Sequence, residues 1–432
     1  MRLKYLHFLI LALTASLFIG SGCKMDHRSS DDGGSSSSST EKDLSAIQYL
    51  TSTDIDTRAK LVNDKDEYNL FIVSGDKREY SYYRFTKTGS SSTQQAILYG
   101  SNSAILARDG ADLSIWNSII DSSGDNSNAV FAYNTGTIVT VSDCVVFTRG
   151  TRAAGLAASN EGTVISKHVT VETSGSDAPP LRAERNGVIT AARGRYAAKG
   201  LGSPSVYSGG EVTVSNAKLE ANAAQSVVIN GISSVSLTSC DITADHNTVY
   251  DSESAAERLQ AVLIRQQGTN AVDGTAVFNM QGGTLTNKHG DIFLVTNTEA
   301  QITVSTSLII NEDLSGVLLR AEKSNSGVNG GRVNFYVKNQ DIDGDIALDE
   351  ISAVNVYLSN AAFTGAVNSL GTSGRVYVDA TGSVWDLTED SYVNSLTCDK
   401  TSINLNGHTL YIGTDEYVEG TAVKGKPIIF EE

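Results

Sequence analysis

The sequence predicts an all-β solenoid: a single-stranded right-handed parallel β-helix of roughly twelve coils with an N-terminal cap. Three observations predict it. One phrase recurs, made of a short apolar strand, a Gly/Asn turn, a second strand, a turn and a third strand. It begins at Ala104-Ile105-Leu106-Ala107, Ala129-Val130-Phe131-Ala132, Gly155-Leu156-Ala157-Ala158 and Pro180-Leu181-Arg182-Ala183, a period of about 25 residues, so each repeat buries its apolar side against the next. Within each phrase apolar and polar residues alternate, as in Glu211-Val212-Thr213-Val214-Ser215, the period of a strand with one buried face. Finally, 39 glycines and only 4 prolines in 432 residues fit many turns and few rigid linkers, with Val, Ile and Thr in the strands and Gly, Asn, Asp and Ser between them. A β-sandwich shares the short strands but not the repetition of one phrase in one register.

The elements follow in order. Residues 1–22 read as a signal peptide: Arg2 and Lys4 give a positive start, and an apolar run follows over 6–19, too short and too early for a membrane span. Gly20-Ser21-Gly22-Cys23 resembles a bacterial lipobox, with Gly20 where leucine is usual. The resemblance implies that Cys23 is lipidated and anchors the chain without spanning the membrane. Residues 23–42, with Ser36 to Ser39 near their centre, form a flexible tether because they have no apolar surface to bury. Residues 43–100 are the N-terminal cap and first coils, with Tyr80, Tyr82, Tyr83 and Phe85 close together to cover a sheet edge that cannot stay bare. Residues 101–413 are the β-helix. Its later coils restart at Ala261-Val262-Leu263-Ile264, Asp291-Ile292-Phe293-Leu294 and Gly316-Val317-Leu318-Leu319. Insertions lie over 244–260, with one possible helical turn at 254–260, and over 322–331, where a solenoid carries loops. Residues 414–432 are a C-terminal cap or tail. Ile105, Val130, Leu156, Leu181, Val228, Leu263 and Phe293 are expected in apolar columns or on the strands of one stacked sheet.

A net charge of −16 argues against nucleic acid as a partner. The charge is uneven, because Arg182, Arg185, Arg193 and Arg195 come from adjacent turns. They are read either as solvated surface paired with Glu161, Glu172 and Glu184 or as a site for an acidic glycan. Four cysteines are present; with Cys23 lipidated, an odd number remains. Cys144 and Cys240 hold similar places four coils apart, about 19 Å along the rod. That excludes a disulfide or a shared metal between them and leaves them as small buried residues.

Catalytic patterns are sparse. The paired aspartates and Gly-His-Gly of polygalacturonase-like enzymes are missing, and Asn287-Lys288-His289-Gly290-Asp291 is the nearest approach. Asp341-Ile342-Asp343-Gly344-Asp345 suggests a calcium loop. However, its glycine comes too early, and Ser352 stands where a bidentate glutamate is required. A turn is the better reading, with weak Ca²⁺ binding by Asp341, Asp343, Asp345 and Asp349 as the alternative. Cys144 and His168 lie one coil apart, without a third group to orient a thiol–imidazole pair. No catalytic residue, resident metal or cofactor is assigned.

Gly202-Ser203-Pro204-Ser205-Val206-Tyr207-Ser208, Ser226-Val227-Val228-Ile229-Asn230-Gly231 and Met280-Gln281-Gly282-Gly283-Thr284-Leu285-Thr286 resemble a family of secreted, adhesin-like bacterial β-helix proteins of the pectin-lyase-like fold. Gly382-Ser383-Val384-Trp385-Asp386-Leu387-Thr388 and Asn406-Gly407-His408-Thr409-Leu410 look like the last coils of autotransporter passenger domains, here without the membrane barrel. The resemblance implies a surface protein, with adhesion as its usual role and no catalytic motif to transfer. Together with the lipobox and the basic residues it gives the expectation of a lipid-anchored monomer on the bacterial cell envelope, binding or displaying without catalysis, with an acidic glycan or another surface protein as partner. The alternative is a carbohydrate-active enzyme, a polysaccharide lyase or glycoside hydrolase, or a glycan-binding module.

Overall fold

The structure is a computed structural model that describes residues 58–93, 95–249, 258–268, 274–324 and 328–430. The signal segment, Cys23 and the tether lie outside the described residues, as do residues 254–257 of the possible helical turn. Gln260, the last residue of that turn, instead opens the strand Gln260–Arg265.

Three strands per coil stack into parallel ladders, and the fold is a parallel β-helix. One strand of each coil enters an 11-stranded sheet, the short sheet, which runs from Phe71–Ser74 through Ile105–Arg108, Val130–Tyr133 and Leu156–Ser159 to Ile346–Leu348. Of the other two strands, one enters a separate 4-stranded sheet in the later coils, made of Asp341–Asp343, Ala362–Thr364, Val384–Asp386 and Ile403–Asn404; elsewhere both enter a 21-stranded sheet, the long sheet. Two ladders fuse there because Ser234–Ala244 and Thr275–Asn287 run unbroken around the corner between them. Past Ile346 the short sheet continues through a parallel bridge to Val367 and the pair Ser391–Val393 and Leu410–Ile412.

The register explains the core. Ile105, Val130, Leu156, Leu181 and Val206 are consecutive partners on the short sheet, followed by Val227, Val262 and Phe293. All are fully buried. Val228 and Leu263 lie on the same sheet but not in this column. They pair with Tyr207 and Leu294 one position along, and a one-residue slip turns a side chain to the opposite face. They form a separate buried cluster with Leu294 on the outer side. All seven expected residues thus lie on the strands of one stacked sheet, in two apolar columns that face opposite sides of it.

Corners impose their own residues. Asn117, Asp143, His168, Arg193, Asn216 and Ser239 each take a positive φ, between 46° and 53°, at the turn between the two long-sheet ladders. Asn and Asp tolerate this left-handed geometry best. At another corner Gly124, Gly150, Gly175 and Gly200 stack so closely that a Cβ on any of them would meet the preceding glycine's carbonyl oxygen at 1.8–2.0 Å. Only glycine permits that approach.

The ends differ from the middle. The described part of residues 43–100 is already coil, since Ala59–Asn63 pairs with Tyr83–Lys87 and Phe71–Ser74 with Ile105–Arg108. Phe71, Tyr80, Tyr83 and Phe85 pack there with ring centroids 5.0–6.3 Å apart. The apolar filling thus begins with aromatic rings, which bury the most area per residue. At the other end Asp415–Glu416 pairs antiparallel with Leu410–Ile412, reversing the chain and stopping the parallel stack.

Candidate binding surface

On the long sheet, alternation sends every second side chain outward, and the register lines these up across coils. Thr140, Ile165, Thr190, Thr213, Ser236, Asn279 and Thr303 are successive partners in one outward column. Neighbours repeat at about 4.8 Å, the strand spacing. The flanking columns over the same coils carry Ile138, Thr163, Val188, Glu211, Ser234, Val277 and Gln301 on one side, and Ser142, Lys167, Ala192, Ser215, Thr238, Gln281 and Ser305 on the other. Only Lys167 and Glu211 carry charge. The result is a face on which short hydroxyl and amide groups, each able to donate and accept, predominate, interrupted by Ile138, Ile165, Val188, Ala192 and Val277.

This face ends in aromatic rings. Tyr336 and Tyr357 continue the Thr303 column and stack at 4.7 Å with 10° between planes, and Lys338 sits over the Tyr336 ring at 5.3 Å. Tyr377 tilts against Tyr357 at 5.9 Å, and its hydroxyl donates to Asp379 at 3.3 Å and accepts from the Thr397 hydroxyl at 2.9 Å. The C-terminal segment then closes the surface: Ile428 N–H donates to Asn355 Oδ1 at 2.8 Å, and Asn355 Nδ2 donates to Ile428 O at 3.0 Å.

A groove of about 330 Å³ opens at the edge of the face, between the turns that lead into it. Asn186, Val188, Gly210, Glu211, Ile232, Ser233, Ser234, Thr275 and Val277 line it.

The outer side of the short sheet has a different character. Leu106, Phe131, Ala157, Arg182, Tyr207, Val228, Leu263 and Leu294 form its outward column, and most are buried. Beside the helical turn Gln95–Tyr99, Tyr99 packs edge-on against Tyr133 at 5.5 Å, and Asn128 Nδ2 donates to Ala96 O. In the middle of the column burial pushes the Glu184 carboxyl up, and it pushes the Tyr207 phenol up to about 12. Farther along, Arg320 grips the buried Asp291 at 2.6 Å.

The four arginines expected to form one stripe divide between these surfaces. Arg182 is only 7% exposed and donates to the carbonyls of Arg152 and Asp177. Arg185 lies over the Tyr99 ring at 5.4 Å. Arg193 occupies the left-handed corner and is exposed, and Arg195 pairs with Glu220 at 2.5 Å. Burial pushes Glu220 up, but Lys218 and Arg195 hold it below the usual carboxylate range. Of the expected glutamates, Glu172 is taken by Lys199, and Glu161 accepts a hydrogen bond from Thr135.

The other candidates serve the scaffold. Cys144 and Cys240 share a column, and with Cys398 they are buried and free. Burial pushes the Cys144 thiol up to about 12, and the thiol donates to Ser142 O. His168 pairs with Asp143 instead, at 3.5 Å. Asp341 and Asp343 point to solvent on either side of inward Ile342, and Asp345 accepts from Ala366 N–H. Asp349 caps Ser352 and Lys323 backbone groups. Among the described residues no group of three His, Cys, Asp or Glu side chains is placed to hold a metal ion. Asn287 is an inward amide that donates to three carbonyls of its own turn. His289 faces Asp245 at 3.3 Å, beside His246, whose imidazole burial pushes down to about 4.

Compared with protein-family models, with curated proteins and with solved structures, the chain has no match. The functional argument therefore starts from geometry. The hydroxyl ladder was missed in the sequence although its signal was present: alternation such as Glu211-Val212-Thr213-Val214-Ser215 was read for its inward residues, and the outward ones were not aligned between coils.

Proposed function

We propose that this chain is a lipid-anchored β-helix of the bacterial cell envelope, held by Cys23 and the tether of residues 23–42. In this reading it binds an extended, hydroxyl-rich polysaccharide without cleaving it. The observation that carries the proposal is the uncharged outward ladder from Thr140 to Thr303, ending at stacked tyrosines. A rigid face whose outward residues repeat every ~4.8 Å, most of them donors and acceptors, is pre-organised for a polymer that offers hydroxyls along its length. Binding to a pre-formed surface avoids the cost of ordering loops. An acidic glycan is the weaker choice of ligand, because Arg182 and Arg195 are already committed to protein partners.

The test is affinity electrophoresis of the full chain in gels holding neutral or acidic polysaccharides, with reducing ends and unsaturated products assayed in parallel. Retention by a neutral polysaccharide, its loss in Thr213→Arg and no turnover are the expected results. Turnover would replace this reading with the carbohydrate-active enzyme. Anchoring is checked separately by fatty-acid labelling, which Cys23→Ser should abolish.

A further inference from the structure

The groove beside the hydroxyl ladder has a structural origin. Gly209 and Gly210 place no side chain in their turn, while the turns of the neighbouring coils project Asn186 on one side and Ile232 on the other. Gly210 cannot be filled without moving the backbone, since a Cβ there would meet Gly187 O at 2.3 Å. The notch is therefore fixed by the coil path and not by a side-chain rotamer.

Its lining is mixed in a specific way. Ile232 is 51% exposed, and Val188 and Val277 are half-buried beside it, which makes an aliphatic wall. Among the described residues the Glu211 carboxylate and the Asn186 side-chain amide make no hydrogen bond or ion pair, so both are open to a ligand. Thr275 is oriented by its bond to Glu299 at 2.9 Å. No basic side chain lines the groove.

We propose that this groove is a subsite for one uncharged hexopyranose unit of the bound polymer. The sugar's C–H face would lie on Ile232, Val188 and Val277, and its hydroxyls would donate to Glu211 and bond to Asn186. The proposal rests on the polysaccharide reading above and adds a selectivity to it. A volume near 330 Å³ is at the small end of ligand sites, which run from about 300 Å³ upward. A lone carboxylate beside a sugar favours neutral units and repels uronates and sulfates, because like charges a few ångströms apart are unfavourable even near a surface.

The experiment measures binding of full-length wild type, Ile232→Ala, Glu211→Lys and Thr303→Arg to galactomannan, xyloglucan and polygalacturonate at low and high salt. Circular dichroism confirms the fold of each variant. Wild type is expected to hold a neutral probe at least tenfold more tightly than polygalacturonate at low salt. Ile232→Ala should weaken the neutral probe about fivefold, Glu211→Lys should shift preference toward polygalacturonate, and Thr303→Arg should weaken the neutral probe by interrupting the column with its bulk. If wild type binds a neutral probe and the two groove variants bind identically to it, the subsite is overturned and the wider function stands. Preference of the wild type for polygalacturonate also overturns the subsite. Absence of binding to every polysaccharide overturns the function, and the subsite with it.

Discussion

The same coils present two outward faces of opposite character. On the long sheet the outward residues are threonine, serine and asparagine, partly open to water. On the short sheet Leu106, Phe131, Val228, Leu263 and Leu294 point outward and are at most 3% exposed. Both faces have the same strand pairing and the same ~4.8 Å repeat. Alternation therefore reports inside and outside only where one side of a sheet meets water. Where both sides are covered, the strand reads as continuous apolar sequence, as in Gln260–Arg265 and Asp291–Thr296, every residue of which is buried.

A charge placed on each face breaks or confirms this comparison most directly. Leu263→Asp buries a carboxylate without a partner and should cost about 4 kcal/mol or more, or prevent folding. Thr213→Asp, on the long-sheet face, should change stability by less than about 1 kcal/mol. Urea unfolding of both variants decides it, and equal losses would show that the faces do not differ.

The two faces also differ in what was legible beforehand. The three-strand phrase, the period and the column from Ile105 to Leu181 could all be read in the sequence, because the coil length is nearly constant there. Val228 and Leu263 lie on the strands of that sheet as expected, but the face each takes was not legible, because both lie in unbroken apolar runs, Val227-Val228-Ile229 and Ala261-Val262-Leu263-Ile264, where no polar residue marks the register. The basic stripe failed for a related reason. Arg182 and Arg195 are close in sequence, yet the turn at Arg185 and Asn186 separates them onto different sheets. The surface ladder was legible only once the strands were paired.

An ion pair provides the next test. Asp291 and Arg320 face each other on the covered side of the short sheet, with side chains 6% and 19% exposed. Arg320→Ala leaves the carboxylate buried with no cation and only the Val317 N–H to bond it, and should cost about 3 kcal/mol. The double variant Asp291→Asn/Arg320→Met should recover much of that, since it removes the stranded charge. A double variant no more stable than Arg320→Ala would show that the pair is wet.

Acid should distinguish the covered side next. Burial holds the His246 imidazole neutral down to about pH 4, against about 6.5 in an unfolded chain. Its Nδ1 accepts the Gln260 N–H at 3.2 Å. The sign follows from proton uptake: the unfolded chain binds the proton first, so stability falls as pH drops below about 6.5 and levels off near pH 4. The loss attributable to His246 between pH 7 and pH 5 is about 2 kcal/mol. His246→Asn keeps an acceptor for Gln260 and should flatten that slope. His289→Asn, beside Asp245 in the same turn, is the control, because that imidazole is half-exposed. An unchanged slope in His246→Asn would place the titration elsewhere.

The mildest test exchanges one methyl for one hydroxyl on each face. Thr296 lies in an outward column of the short sheet, 1% exposed, and its hydroxyl has no hydrogen-bond partner among the described residues. A buried hydroxyl without a partner carries a desolvation cost that valine, of nearly the same shape, does not. Thr296→Val should therefore stabilise the protein by about 1 kcal/mol. Thr213→Val removes a hydroxyl that water reaches, so its stability should stay within about 0.5 kcal/mol of wild type. Its effect should appear in retention by polysaccharide, where losing one neutral hydrogen bond of about 1 kcal/mol is about a fivefold change. If Thr213→Val is stabilised like Thr296→Val and binds undiminished, the long-sheet face is covered as well, and the ladder on it is packing and not a binding surface.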